Sequence, residues 1–254
     1  MSDNKEKQNM SRDLPTVIAD AIRADIASGK LAADQRLPSE SELAETHGVS
    51  RATVREALKR LAAQSLIRTR RGAAGGAFVH RQSFEEACAD MASKATLLIG
   101  LNEIDIATAC EARFALERGC MRLAAKHRGP EHLDIMRREI ARQKDPELSD
   151  EAFCASDVAF HRALVDAAGN PVLSWQLAAA VEGIEPLMNM ITYRQRDRDA
   201  VIGLHEAIAD ALEARVGSKL EILIDYLRDQ TLRTAHAAQG HRLAAPPETP
   251  HRRD

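Results

Sequence analysis

Residues 37–61, LPSESELAETHGVSRATVREALKRL, constrain the fold more than any other stretch of the chain. Ser39 followed three residues later by Glu42 is a capping box, which predicts that a helix begins there. Leu43 and Ala44 supply its apolar side, and Gly48 ends it, because glycine enters the left-handed conformation at little cost. Val49 turns the chain back into the core, and Ser50 caps a second helix from Arg51. Along that helix Val54, Ala57, Leu58 and Leu61 recur at i, i+3, i+4 and i+7, while Arg51, Thr53, Arg55 and Lys59 occupy the opposite side. Two short helices about a glycine turn, the second basic on its outer face, have the form of a helix-turn-helix with its reader second. Periodicity alone would equally suit an amphipathic pair with a solvated charged face.

The residues that follow separate these readings. Leu66-Ile67 leads through Arg68-Thr69-Arg70-Arg71-Gly72 and Gly75-Gly76 to Ala77-Phe78-Val79, the pattern of a strand, a glycine turn and a returning strand. Between Thr46 and Arg81 there are eight lysines and arginines against one acid, Glu56, in a chain whose total charge is −3. Such local asymmetry is the footprint of a phosphate-binding surface, so a winged helix-turn-helix that binds DNA is the favoured reading. Arg36, just before Leu37-Pro38, is a further candidate for a contact to the DNA backbone.

The run from Leu37 to Val79 resembles the DNA-binding domain of GntR-family bacterial transcription regulators, with the match spanning about residues 14–80. The resemblance implies that Arg51, Thr53 and Arg55 enter or flank the major groove and that Gly72 at the wing tip approaches the minor groove. In one respect the chain departs from the family. Many members carry a DNA-contacting arginine directly after Pro-Ser-Glu, where this chain has Ser41. A hydroxyl can still bond a phosphate, but the charged contact is missing.

Beyond the wing the pattern is helical throughout, in keeping with an aromatic content of only 3%. Helices are expected near 84–100, 103–127, 131–143, 150–168, 171–192, 198–216 and 219–237, separated by Gly100, Gly129-Pro130, Pro146, Gly169-Asn170-Pro171 and Gly217-Ser218. Short connections between helices of this length imply an antiparallel bundle. The expected fold is therefore mainly α: a winged helix-turn-helix with a small β wing, then an all-α bundle of about six or seven helices. The expected divisions are a disordered N-terminus over 1–12, a DNA-binding domain over 13–81, a bundle over 82–238 and a disordered tail over 239–254. Residues 1–81 carry 14 basic and 10 acidic side chains and the remainder 21 and 28, so only the first part suits nucleic acid. No apolar run approaches the roughly 18 residues of a membrane span, and the N-terminus lacks a signal-peptide core. Cys88, Cys110, Cys120 and Cys154 show no metal or redox spacing, which suits reduced core residues of a cytoplasmic protein.

A bundle joined to a DNA reader dimerises, senses a ligand, or does both, and polar residues on apolar helix faces are the place to look for sensing. Asp157 and His161 lie four apart on one helix, His205 and Tyr226 come from later ones, and Arg113 sits between Ala109 and Leu116. Such a carboxylate and imidazoles could hold a divalent metal such as zinc, or Asp157 and His161 could be an ordinary i,i+4 pair with His205 at the surface. Residues 84–237 resemble the FCD ligand-binding domain of the FadR subgroup, on the segments EARFALERGCMRLAA, DVAFHRALVDAAGNPVL and LHEAIADAL. The resemblance implies an Asp157, His161, His205 metal set and an effector carboxylate gripped by Arg113, with Arg162 and Arg194 as auxiliaries. Tyr226 stands where metal-binding members carry a third histidine, so it either replaces that ligand or donates a hydrogen bond to the effector.

The expectation is a homodimeric regulator, a repressor released from a palindromic operator by a small organic acid, and not an enzyme. The alternatives are a metal-dependent enzyme built on Asp157, His161 and His205, which lacks a nucleophile or phosphate loop, and a dimeric DNA-binding protein without a ligand.

Overall fold

The computed structural model describes residues 3–72, 75–101, 104–186 and 197–244. They form two compact units, Met1–Ser83 and Phe84–Asp254.

The first unit contains α1 (Asp3–Ala27), α2 (Glu40–His47), α3 (Arg51–Ala63), β1 (Ile67–Arg70) and β2 (Gly76–Val79). In α2 the capping box forms as the sequence predicts. Ser39 Oγ accepts from the Glu42 amide (3.3 Å), and Glu42 Oε2 accepts from the Ser39 amide (2.7 Å). Gly48 ends the helix at φ 62°, left-handed. Ser50 Oγ then accepts from the Thr53 amide (3.1 Å), and Val54, Ala57, Leu58 and Leu61 are all buried. They meet Ile18, Ala19 and Ile22 of α1 and Leu37 in one core. β1 and β2 pair antiparallel from Ile67↔Val79 to Arg70↔Gly76, burying Ile67, Ala77 and Val79. The strand before α2 joins them: the Leu37 amide donates to Ala77 O and the Val79 amide to Gln35 O.

Two expectations for this unit require correction. Helix α1 begins at Asp3, within the stretch expected to be disordered. That stretch includes Lys5, Glu6, Lys7, Gln8, Met10 and Arg12, residue types that favour helix, and holds no glycine or proline before Pro15. Val17, which the amphipathic pattern expected over residues 14–28 groups with Ile18, Ala21, Ile22 and Ile26, is exposed, because Ile18 and Ile22 set the buried line and Val17 lies about 100° from it.

The second unit is a bundle of α4 (Phe84–Leu101), α5 (Ile106–His127), α6 (Pro130–Gln143), α7 (Asp150–Asp166), α8 (Pro171–Val181), α9 (Arg198–Glu213) and α10 (Gly217–Ala244). Asp105, Ser149, Asn170 and Asp197 cap α5, α7, α8 and α9 through their side chains. Helix α5 is central, packing on α7, α8, α9 and α10. Its Cys110, Phe114 and Met121 join Phe153, Phe160, Leu164, Ile208, Leu212, Leu220 and Ile224 in the core. All four cysteines are buried, and none of them forms a disulfide.

Helix α8 was expected to run to residue 192 but ends at Val181, and residues 187–196, Arg194 among them, lie outside the described residues. Helix α4 comes so close here that a Cβ on Gly183 would stand 2.7 Å from Ala95 Cβ and 2.5 Å from Ala179 O. Helix α10 continues to Ala244, past the expected start of the tail, since Gly240 costs a helix only about 1 kcal/mol and the first proline is Pro246.

Candidate functional sites

Helix α3 presents Arg51, Arg55 and Lys59 to solvent, and Ser41 is exposed on α2. Arg55 is not isolated: its Nε and Nη2 donate to Glu40 Oε1 (3.1 Å) and Oε2 (2.7 Å). Thr53 lies at the start of α3 with its hydroxyl bonded to Ser50 Oγ (2.8 Å). Arg36 crosses the wing at Gly76, where a Cβ would stand 2.9 Å from its Nε. Gly72 follows β1 at φ 101°, a left-handed conformation that favours glycine, and residues 73–74 lie outside the described residues. The basic count of the sequence is thus partly committed elsewhere. Arg60 donates to Thr16 Oγ1, Arg81 pairs with Asp34 (2.7 Å), and Arg70 stacks over Phe78 (4.8 Å).

In the bundle, α5, α6, α7 and α9 bring a polar cluster into the core. Asp157, His161 and His205 each offer a ligand atom, all within 4.8 Å of one another, and both histidines are buried. His161 Nδ1 lies 2.8 Å from Glu117 Oε2, and His205 Nδ1 lies 2.8 Å from Gln143 Oε1. A carboxylate and an amide oxygen can only accept, so each Nδ1 carries a proton, and Nε2 is the atom whose lone pair a neutral ring offers. His205 Nε2 is buried without a hydrogen-bond partner, 3.4 Å from Asp157 Oδ1. Phe160 stacks on the His205 ring at 3.9 Å and meets His161 edge-on, fixing both imidazoles. Two unprotonated imidazole nitrogens and a carboxylate oxygen are a donor set that suits zinc or a similar divalent ion, and the partners on Nδ1 set the tautomer a ligand needs.

Arg113 completes the cluster. Its Nε donates to Glu117 Oε1 (2.7 Å), while its buried Nη2 makes no hydrogen bond and lies 3.7 Å from Asp157 Oδ2. Burial pushes the Glu117 carboxyl upward, but His161 and Arg113 more than offset this and hold it at about 2. Burial takes the His205 imidazole down to about 3, against the pull of Asp157. At neutral pH the cluster therefore holds an ionised Glu117 and a neutral His205.

A pocket opens beside these groups, lined by Arg113, Asp157 and His161 together with Asp197, Gln230, Thr231 and Thr234. Tyr226 is not part of it. The side chain is 61% exposed, because Leu220, Ile224 and Leu227 form the buried line of α10 and Tyr226 is one residue off it. The position facing the pocket is Leu227, so the reading of Tyr226 as a ligand or effector donor is overturned. Arg162 is also elsewhere, held by Ser174 O (2.7 Å) and Glu182 (3.0 Å). Glu117 and Gln143 were missed in the sequence. Glu117 had a signal, four residues after Arg113 on an inward face; Gln143, the last residue of its helix, had none.

The family models agree with both halves: that for bacterial regulatory proteins of the gntR family matches residues 15–79, and that for the FCD domain matches residues 108–228. The chain is a GntR-family regulator with an FCD domain. It is similar to the uncharacterized HTH-type transcriptional regulator YcbG of Bacillus subtilis, 29% identical over 192 residues, covering 75% of this chain and 76% of that one. It is also similar to the HTH-type transcriptional repressor NanR of Escherichia coli K12, 27% identical over 212 residues, covering 79% and 76%. Among solved structures, Streptococcus agalactiae GntR shares the fold with a TM-score of 0.58 at 19% identity, over 87% of this chain and all of that one. The family models and these relatives together make it a DNA-binding transcriptional regulator with an FCD effector-binding domain. Among the described residues no helix is long and apolar enough to cross a membrane.

Proposed function

We propose that the protein is a cytoplasmic, homodimeric repressor, released from a palindromic operator by a small hydroxy acid bound beside a divalent metal. The observation that carries the sensing half is a pair of buried polar atoms without hydrogen-bond partners among the described residues: Nη2 of Arg113, which lines the pocket with Asp157 and His161, and Nε2 of His205, which lies behind Asp157 at 3.4 Å from its Oδ1. Buried polar atoms in that state are costly, and a metal on Asp157, His161 and His205 plus an anion on Arg113 would satisfy both. The metal would hold oxygen atoms of the effector and leave the directional contact to the guanidinium edge. This also argues against a bundle that serves dimerisation alone.

The other polar residues that line the pocket bear on the class of acid. Thr231 Oγ1 donates to Leu227 O (2.8 Å) and Thr234 Oγ1 to Gln230 O (3.1 Å), so both hydroxyls offer only lone pairs outward. Asp197 is an acceptor as well, with Oδ1 taken by the Ala200 amide (3.0 Å). Gln230 can donate as well as accept, so acceptors predominate without being alone; they favour hydroxyl donors on the ligand over a second carboxylate, and a polyhydroxy acid fits better than a plain dicarboxylate.

The repressor sign is supported by the similarity to NanR, which is named a repressor. Arg51, Arg55, Thr53, Gly72, Arg36 and Ser41 are the proposed DNA contacts, and a dimer supplies two readers for a two-fold site. The test is to select an operator from random duplexes and titrate hydroxy acids and dicarboxylates with zinc present. Hydroxy acids should weaken operator binding and raise the melting temperature. A panel that changes neither overturns the sensing half and leaves the DNA reader standing.

A further inference from the structure

The ion pair between the two reader helices is better suited to reading a base than to holding the backbone. Glu40 is the first residue of α2 and Arg55 lies near the middle of α3, 59% exposed. Glu40 takes the Arg55 Nε proton and one Nη2 proton, the side-on edge of the guanidinium. The Nη1 protons and the outer Nη2 proton remain, and among the described residues Arg55 makes no other hydrogen bond. Those protons form the end-on fork, whose spacing matches O6 and N7 of guanine in the major groove. The carboxylate also neutralises the guanidinium. A neutral pair has little attraction for a phosphate but keeps two parallel, fixed donors, which is what a base edge requires. Ser41, beside Glu40, adds no charge to compete for the same groove.

We propose that Glu40 is a positioning residue that holds Arg55 side-on, so that Glu40 and Arg55 together specify one guanine in each half-site of the operator. The proposal rests on the DNA-binding role of α3 and goes beyond it by making an acidic residue of α2 a determinant of sequence preference. A surface ion pair that only joins α2 to α3 would affect stability weakly and sequence preference not at all.

The test uses the full-length protein and a randomised duplex library, with Glu40→Gln, Arg55→Ala and the double variant beside it. Glutamine keeps the shape of Glu40 but presents one acceptor and one donor, so it cannot hold both guanidinium nitrogens. The wild-type protein should select a site in which one guanine per half-site is preferred about tenfold or more. Arg55→Ala should erase that preference. Glu40→Gln should reduce it at the same position only, with equal or tighter binding to unrelated duplexes and an unchanged melting temperature. The double variant should match Arg55→Ala. If Glu40→Gln instead tightens binding to all sequences and leaves the selected site unchanged, Arg55 is a phosphate contact and the proposal is wrong. If the variant melts lower with an unchanged site, Glu40 is only a strut. A library from which the wild-type protein selects nothing would overturn the DNA reader itself, and this inference with it.

Discussion

Arg113 gives its Nε proton to Glu117 and leaves Nη2 without a hydrogen bond, 3.7 Å from Asp157 Oδ2, and this division makes its role separable from its packing. Arg113→Lys should keep a cation beside Glu117 but lose the second donor nitrogen, so acids should lose their effect on operator binding while operator affinity stays near wild type. Arg113→Ala should do more damage, because breaking a buried pair costs about 3–5 kcal/mol; denaturant titration distinguishes the two. Tyr226→Phe should change neither metal nor acid binding, as calorimetry would show, since its side chain lies outside the pocket. His205 carries a pH signature. Its folded-state value near 3 lies below the unfolded value, so between those values the unfolded chain binds the extra proton and stability falls as pH falls. Glu117, held at about 2, acts in the same direction but only below the ordinary carboxylate range. From about pH 6.5 to 4.5 the slope attributable to His205 approaches 1.4 kcal/mol per unit. With a chelator present, His205→Gln should flatten the stability curve in that window; an unchanged curve would contradict the buried neutral imidazole.

At the scale of elements, what the sequence revealed was whatever is locally caused. The capping box at Ser39 and Glu42, the left-handed Gly48 and the Ser50 cap each need only neighbours within one turn, and all three form where the residues place them. Ser39→Ala should cost about 1 kcal/mol, lowering the first unit's unfolding midpoint in denaturant without moving the second's. The elements that escaped prediction are set from a distance. Beyond the end of α8, Gly183 lies where a Cβ would stand 2.7 Å from Ala95 of α4, a contact across the bundle that no local pattern announces. The register of α10 was lost for a related reason. A segment rich in Leu and Ile allows more than one inward line, and only packing chooses Leu220, Ile224 and Leu227 over one that includes Tyr226. The candidate site followed the same rule. Asp157 and His161 were legible from their i,i+4 spacing and His205 from its family segment, whereas Gln143 reaches His205 from another helix.

For the whole molecule, the division of charge lets one chain carry two chemistries: a basic reader that depends on salt and a buried site that does not. Operator affinity should fall steeply with salt concentration, while acid binding beside the metal, shielded in the bundle, should fall little. Coupling between the two is then a matter of thermodynamics. If an acid weakens operator affinity tenfold, operator DNA must weaken acid affinity tenfold, because both report one coupling free energy of about 1.4 kcal/mol. Titrating the acid into free protein and into the protein–operator complex measures that factor directly. His161→Ala should remove a proposed metal ligand and the Glu117 contact together, abolishing the acid's effect on DNA and, in equal measure, the DNA's effect on the acid. Equal acid affinities for free and operator-bound wild-type protein would mean that the bundle binds without signalling, whatever the metal does.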